Sequence, residues 1–173
     1  MKWFTADEHL FHKNIMRYCN RSYRNVDEMN KDIIKNVNDT LRSGDTLYHI
    51  GDWCWGRPER NHHFYKIMKK YRNDITHILI LGNHDNLKPF TYVDIGFQSV
   101  HTSLSFNFNG QRYILCHDPS VYTMIKDDDF LLCGHVHTLF TKLDNRAINV
   151  GVDVWNFKPI SIDYINKYRK ETT

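Results

Sequence analysis

Apolar runs in this chain end repeatedly on aspartate, asparagine or histidine. The run Ile78–Leu81 is aliphatic throughout and is followed at once by Gly-Asn-His-Asp. Including this run, the endings are Asp7-Glu8-His9, Gly51-Asp52, Gly82-Asn83-His84-Asp85, Cys116-His117-Asp118 and Gly134-His135-Val136-His137. Each ending taken alone is typical of a turn. Because open α/β sheets bind ligands at the carboxyl ends of their strands, the endings together indicate one shared site.

The order of the predicted elements indicates an α/β fold. Hydrophobic periodicity and turn residues predict helices over 12–19, 26–41, 58–71 and 163–170, and strands over 1–6, 46–50, 76–81, 96–100, 104–108, 112–116, 130–133, 147–150 and 160–162. Strands and helices alternate in the first half, which favours parallel pairing. Asn109-Gly110 predicts a hairpin in the second half. Residues 1–173 are therefore expected to form a single domain with two packed sheets and helices outside them.

Composition favours a cytoplasmic protein and gives little support for nucleic-acid binding by charge. Lys and Arg exceed Asp and Glu by only 23 to 20, a net charge of +3. The four cysteines show no CxxC spacing, which argues against a disulfide framework. No apolar segment is long enough to span a bilayer, and the charged amino terminus does not resemble a signal peptide.

The side chains at the strand ends form a mixed set of nitrogen and oxygen donors. It consists of two carboxylates, one carboxamide and four imidazoles, from Asp7, Asp52, Asn83, His9, His117, His135 and His137. Such a set suits Mn, Fe, Zn, Co or Ni better than Ca or Mg. Seven donors are too many for one metal with an open position, whereas two metals sharing a carboxylate would use them all. If the strand continued through Val136, His135 and His137 would face the same way.

These motifs, in this order, resemble those of the calcineurin-like metallophosphoesterases. The resemblance spans 7–153 and is greatest to small bacterial and phage members, through DEHLFHKNI at the first motif and Asn149-Val-Gly-Val-Asp-Val-Trp155 near the end. It implies a four-layer αββα sandwich of two packed mixed β-sheets flanked by helices. It also implies hydrolysis of phosphate esters with two divalent metal ions, of which Mn is favoured.

The resemblance assigns a role to each strand-end residue. By that resemblance Asp7, His9 and His137 hold one metal, Asn83, His117 and His135 hold the other, and Asp52 bridges both. A hydroxide shared by the two metals would attack phosphorus in line. His84 would protonate the leaving oxygen or stabilise the developing charge.

The chain departs from the Ser/Thr-phosphatase branch of this family after the second motif. It reads GDWCWG, with Trp55 and Gly56 where that branch has an aspartate that orients the catalytic histidine and an arginine that grips phosphate. Protein phosphatase activity is therefore not expected. What orients His84 is left open, with Asp85 as one candidate.

Other residues near the motifs have two readings each. His12 and Asn14 either support the ligands or face the substrate, and Asn14 is alternatively a helix cap. Arg21 either grips a phosphate or is an exposed loop arginine. Trp53 and Trp55 either pack under the neighbouring helix or stack on a nucleobase. Asp153 is either a cap or a carboxylate that supports a ligand, and His49 is expected to be an interior histidine.

The sequence therefore predicts a metal-dependent phosphoesterase, with phosphodiesters favoured. The expected partners are a small phosphoester or a nucleotide, with nucleic acid as an alternative substrate and no membrane. The rival hypothesis is a metal-binding scaffold of the same fold that has lost catalysis. A metal-free phosphoesterase with two histidines is rejected, because only His101-Thr102-Ser103 matches the H-x-[ST] pattern that it needs twice.

Overall fold

Two five-stranded sheets form the centre of the computed structural model, which describes residues 1–56 and 62–170. The strands are β1 (Lys2–Thr5), β2 (Thr46–Ile50), β3 (Thr76–Ile80), β4 (Ser99–His101), β5 (Leu104–Phe108), β6 (Gln111–Leu115), β7 (Phe130–Cys133), β8 (Lys142–Leu143), β9 (Ala147–Asn149) and β10 (Ile160–Ser161). The α-helices are α1 (Ile15–Tyr18), α2 (Val26–Thr40), α3 (His62–Met68), α4 (Pro89–Ile95) and α5 (Ile162–Lys170). Short 3-10 helices lie at Pro119–Thr123 and Val152–Val154.

Each sheet has a parallel centre, as the alternation of elements predicts. The first sheet has the order β10-β1-β2-β3-β4, in which only β10 is antiparallel to its neighbour. The second has the order β5-β6-β7-β9-β8, with β6, β7 and β9 parallel and both edge strands antiparallel. The hairpin at Asn109-Gly110 is confirmed, and both residues have the positive φ that this turn requires. The mixed two-sheet architecture expected from the sequence is thus confirmed.

The space between the sheets is filled by aromatic and aliphatic side chains. Phe4 of β1 stacks on Tyr48 of β2 at 5.3 Å and on Phe106 of β5 at 6.0 Å between ring centroids. Phe106 in turn stacks on Tyr113 of β6 at 5.5 Å. Phe4 is fully buried, so this ring stack joins the two sheets at the centre of the core.

The outer faces of the two sheets are covered differently. Helices α2, α3 and α4 cover the first sheet through buried residues such as Ile33, Phe64 and Tyr92. The outer face of the second sheet, at Leu131 and Cys133, is covered instead by side chains of the 3-10 helix Pro119–Thr123 and of the loops beside it. Of the helices described, none has the length and apolar character needed to cross a membrane.

The predicted boundaries differ from the structure in a few places. Helix α4 and strand β8 were not predicted, and helix α1 is shorter than the predicted 12–19. Helix α4 begins with Pro89 and ends at Gly96, whose φ of +133° stops it and delays β4 to Ser99. The predicted start of the third helix, at Pro58, lies outside the described residues.

The ring stack between the sheets predicts a large effect on stability. Phe4→Ala should lower the free energy of unfolding by about 3–5 kcal/mol, because it leaves a cavity in the core. Phe90→Ala is the matched control, because Phe90 is 62% exposed on α4, and it should change stability by no more than about 0.5 kcal/mol. Urea denaturation of the two variants measures both values. Equal losses would show that the sheets do not depend on this stack.

Candidate metal centre

The structure brings all the predicted donor side chains to one edge of the sandwich. Strands β1, β2 and β3 are neighbours in the first sheet, and β6 and β7 are neighbours in the second. Contacts cross from one sheet to the other at this edge. The backbone N–H of His135 donates to the Asp7 carboxylate at 2.9–3.0 Å, and His117 Nδ1 donates to the carbonyl of Ile50 at 2.8 Å. The carboxyl ends of strands from both sheets therefore face a single site.

One group of donors consists of Asp7, His9 and His137. Their ligand atoms all lie within 4.8 Å of one another. Asp7 and His9 are buried, with exposed fractions of 0% and 2%. His9 Nε2 is a buried atom without a hydrogen-bond partner. A buried imidazole nitrogen with no partner, beside a carboxylate and a second imidazole, fits a metal ligand.

A second group surrounds the side-chain oxygen of Asn83. Asn83 Oδ1 lies 2.9 Å from His135 Nδ1 and 3.1 Å from His117 Nε2. The Nδ1 of His117 donates to a backbone carbonyl, so its Nε2 is the atom left to face the site.

Asp52 lies between the two groups. Its Oδ2 is 3.4 Å from His9 Nε2 of the first group and 3.4 Å from His117 Nε2 of the second. Ligand atoms of Asp7, Asp52 and His117 also lie within 4.8 Å of one another. The structure therefore places Asp52 where one carboxylate reaches both groups.

The buried carboxylates of the site require positive charge nearby. Burial raises the pKa of Asp7 to about 6 and lowers the pKa of His9 to about 3. Burial opposes the ionisation of Asp52 and His117 as well, but their mutual contact outweighs it, so that the pKa of Asp52 is lowered and that of His117 is raised. The hydrogen bond to Asp153 likewise outweighs burial and raises the pKa of His137 to about 10. Protonated His117 and His137 offset part of the buried carboxylate charge, and a divalent cation that displaces these protons fits the same donor set.

Several donors sit at residues with left-handed backbone conformation. Positive φ angles occur at Asp7 (56°), His9 (48°), Asp52 (56°), His135 (72°) and His137 (47°). The expected strand alternation of His135 and His137 is therefore wrong: β7 ends at Cys133, and turn geometry rather than the strand pleat aims the two imidazoles. Backbone of this kind is costly for residues other than glycine and is typical of functional sites.

Gly82 is required by close packing rather than by its turn. A Cβ at this position would lie 2.3 Å from Asp52 Oδ1. Gly51 meets the same restriction, since its Cβ would lie 2.3 Å from His117 Nδ1. The two glycines let the ligand-bearing loops approach each other.

Asp85 does not orient His84. Its carboxylate accepts from the backbone N–H groups of Gly82 and Asp52 at 2.8 Å and of Trp53 at 3.2 Å. The candidate role that the sequence suggested is therefore corrected, because both carboxylate oxygens are used to hold the loop that carries Asp52.

His84 is placed instead by its backbone and by neighbouring rings. Its N–H donates to Asp52 Oδ1 at 2.8 Å, and its Nε2 lies 4.0 Å from Asp52 Oδ2. Its ring lies 4.9 Å from Trp55 and 5.4 Å from His9 between centroids. The side chain is 37% exposed, so it reaches solvent beside the donor groups.

The sequence suggested that Arg21 either grips a phosphate or is an exposed loop arginine, and both interpretations are wrong. The side chain is fully buried and donates to the carbonyls of Asp7 at 2.7 Å and Glu8 at 3.0 Å. It also forms a bidentate ion pair with Asp153, in which Nε donates to Oδ1 at 2.7 Å and Nη2 donates to Oδ2 at 2.8 Å. Arg21 thus holds the backbone of the first motif and cannot grip a substrate, because all its polar contacts lie inside the protein.

Asp153 holds His137, a candidate metal ligand, which agrees with one of the two interpretations of Asp153. Besides binding Arg21, it accepts from His137 Nδ1 at 2.8 Å, which leaves Nε2 of that imidazole to face the site. Asn149 fixes the same turn by donating to the carbonyl of His137 at 2.7 Å. Cys19 also lies near His137 and Asp153, and no sequence pattern pointed to it.

Glu8 points away from the metal centre into the core. It accepts from the Tyr71 hydroxyl at 3.0 Å and pairs with His49 Nδ1 at 2.8 Å. His49 Nε2 meets His77 Nδ1 at 3.0 Å, which confirms His49 as an interior histidine. Burial lowers the pKa of His77 to about 3, so that imidazole is neutral. This buried chain anchors the first motif to β2 and β3.

The two tryptophans beside Asp52 have different environments. Trp53 is fully buried and packs against Phe97 at 4.9 Å and Phe64 at 6.0 Å, as its packing interpretation requires. Trp55 is 40% exposed and stacks on His12, with 4.0 Å between ring centroids and 7° between planes. Trp55 therefore faces the site rather than the core.

A cavity of about 490 Å³ opens beside His84. Of the residues that the sequence marked as facing the substrate, His12 and Asn14 line it. The Nδ1 of His12 is 3.4 Å from that of His9, so His12 also supports a donor. Asn14 occupies the N-cap position of α1, but its side chain makes no cap hydrogen bond.

Comparisons with known proteins agree with this fold. A family model described as the calcineurin-like phosphoesterase superfamily domain matches residues 6–159. An uncharacterized protein of the archaeon Methanocaldococcus jannaschii is 31% identical over 95% of this chain and 89% of its own length. The crystal structure of a protein of unknown function from Aquifex aeolicus has 26% identity and a TM-score of 0.76, covering 97% of this chain and 98% of that one. An archaeal phosphodiesterase shares the fold at 16% identity and a TM-score of 0.52, over 87% and 81% of the two chains.

The fold and the donor groups define a phosphoesterase-type scaffold with candidate metal-binding residues. The match covers most of the chain, and the chain belongs to the calcineurin-like phosphoesterase superfamily.

The position of Asp153 generates a prediction about metal affinity. Asp153→Asn should weaken Mn²⁺ binding by about 10–100-fold, because the amide no longer holds His137 and Arg21 by charge. Titration calorimetry on metal-free protein measures the affinity. Asp94→Asn, on the exposed face of α4, is the matched control and should bind like the wild type. Unchanged affinity in Asp153→Asn would contradict the supporting role.

Proposed function

We propose that this protein is a phosphodiesterase that uses two divalent metal ions. The proposal rests on the position of Asp52 Oδ2, which lies 3.4 Å from an imidazole nitrogen of each donor group. One carboxylate reached by two separate groups supports a pair of metal ions that share it. The first ion would be held by Asp7, His9 and His137, and the second by Asn83, His117 and His135.

The residues of the chain divide the chemistry between them. Two divalent cations, when bound by these residues, would lower the pKa of a water molecule and neutralise charge on the phosphoryl oxygens. Asp52 fixes where the reacting phosphate lies relative to His84, because it contacts both donor groups and the N–H of His84. His84 is exposed enough to meet substrate and donates a proton to the leaving oxygen. The mixed nitrogen and oxygen donors favour Mn, with Fe, Zn, Co or Ni as alternatives.

The charge of the cavity favours phosphodiesters over phosphomonoesters. Among the described residues that line it there is neither lysine nor arginine. Arg21 is buried in contacts with the first motif, and Gly56 stands where related phosphatases carry an arginine. A diester carries one negative charge, so it needs no side-chain cation beyond the metals. The proposed substrate is therefore a small phosphoester, a nucleotide or the end of a nucleic acid.

The cysteines support a cytoplasmic location. All four are free in the structure, and Cys54 and Cys133 are buried. Free buried thiols are typical of proteins in reducing compartments.

Hydrolysis of bis-p-nitrophenyl phosphate and of p-nitrophenyl phosphate tests the proposed function. The protein is first stripped of metal and then assayed with added Mn²⁺. The expected result is metal-dependent hydrolysis that is faster for the diester. A clear preference for the monoester would contradict the diester assignment. Absence of any metal-dependent hydrolysis would favour the scaffold hypothesis.

His84 is expected to act in turnover without holding metal. His84→Ala should lower kcat by about 10²–10⁴-fold at unchanged metal content, because the proton donor is removed and the donor groups remain. His101→Ala, on edge strand β4, is the matched control and should keep wild-type activity. Metal analysis and steady-state kinetics on the same preparations measure both quantities. A His84→Ala variant as fast as the wild type would remove this role.

A further inference from the structure

Two exposed aromatic side chains, Trp55 and Tyr18, pack against His12 beside the donor groups. Trp55 is stacked on His12, and its indole remains 40% exposed. Tyr18 is 62% exposed and meets the edge of His12, at 6.2 Å between ring centroids. Both aromatic residues line the cavity beside His84. Large apolar rings are usually withdrawn from water, so two of them exposed at one cavity suggest a planar apolar ligand.

The cavity belongs to one side of the metal centre. Its lining includes His9 and His137 of the first donor group and none of Asn83, His117 or His135. His84, the proposed proton donor to the leaving oxygen, also lines it. If His84 protonates the leaving oxygen, the group that departs from phosphorus would lie in this cavity, because the leaving oxygen must be close to His84.

The lining also offers polar contacts for a ring edge or a sugar. Asn14 leaves its carboxamide uncommitted to helix capping, and Thr138 adds a hydroxyl. Aromatic rings for stacking and a few polar groups are features of sites that bind a nucleobase. A cavity of about 490 Å³ is large enough for a nucleoside rather than only a small alcohol.

We propose that the leaving group of the substrate is a nucleoside whose base stacks in the aromatic cavity formed by Trp55, His12 and Tyr18. This inference rests on the proposed phosphodiesterase function and names its substrate class. Trp55 is then a residue that determines specificity: it acts on the base, while the chemistry stays with the donor groups and His84.

A dinucleoside monophosphate and its abasic analogue, which keeps both sugars and the phosphodiester, test the proposal with the metal-loaded protein. The wild type should have a kcat/KM about tenfold or more higher for the dinucleotide, since each stacked base contributes on this scale. Trp55→Ala should remove that preference by slowing only the dinucleotide. Trp55→Phe, which keeps an aromatic ring, should retain most of it.

Two further outcomes would overturn the proposal, and a third comparison identifies where the nucleoside comes from. Equal losses on both substrates in Trp55→Ala would show that Trp55 only positions His84, which it contacts at 4.9 Å. No preference in the wild type would show that the base is not recognised. A single-stranded oligonucleotide hydrolysed faster than the dinucleotide would identify nucleic acid as the source of the nucleoside, and the reverse would identify small nucleotides.

A binding measurement separates this proposal from the proposed function. The indole N–H signal of Trp55 is assigned in the NMR spectrum by its loss in Trp55→Phe. Deoxyadenosine 5′-monophosphate added to metal-free protein should shift that signal, and deoxyribose 5-phosphate should not. If hydrolysis of every diester fails but the shift occurs, the catalytic proposal fails and the base site stands. If hydrolysis succeeds without a base-specific shift, the base site is overturned.

Discussion

Two buried carboxylates held close together are the constraint on which the structure of this site depends. Asp7 and Asp52 are 0% and 3% exposed, and their ligand atoms lie within 4.8 Å of one another. Like charges so placed, away from water, cannot both remain ionised without compensating positive charge. The imidazoles supply part of it, but burial keeps His9 neutral. Divalent cations held among these donors would complete the charge balance, and metal binding would then stabilise the local fold.

The scaffold meets this constraint by turning sharply where its strands end and then fixing the turns from behind. Left-handed backbone at the donors is costly, and hydrogen bonds from outside the site hold it in place. Arg21 binds the carbonyls of Asp7 and Glu8, and Asp153 joins Arg21 to His137. The Asp85 carboxylate accepts hydrogen bonds from the backbone N–H groups of Gly82, Asp52 and Trp53. The donor side chains are thus held toward one another by contacts that lie outside the site.

The sequence predicted the two sheets, and it predicted which polar side chains would meet at one edge, because both follow from local patterns. Apolar runs mark the strands, and the polar residue after each run marks the edge at which they meet. The supporting contacts were less predictable, since Arg21 and Asp153 are 132 positions apart and only folding joins them. Trp53 and Trp55 are equivalent by pattern, and which one faces the cavity depends on the path of the loop. Helix α4 was missed although Pro89 and Gly96 carried its signals.

The number of metal ions bound per chain is the direct test of whether the Asp52 carboxylate joins two metal sites. Metal-free protein is saturated with Mn²⁺, freed of excess and analysed for bound metal per chain. About two ions are expected in the wild type, about one in Asn83→Ala, and none in Asp52→Ala, because Asp52 Oδ2 lies 3.4 Å from an imidazole nitrogen of each group. Asp94→Asn serves as the control and should retain about two. A single ion in the wild type, or two retained in Asp52→Ala, would contradict the account.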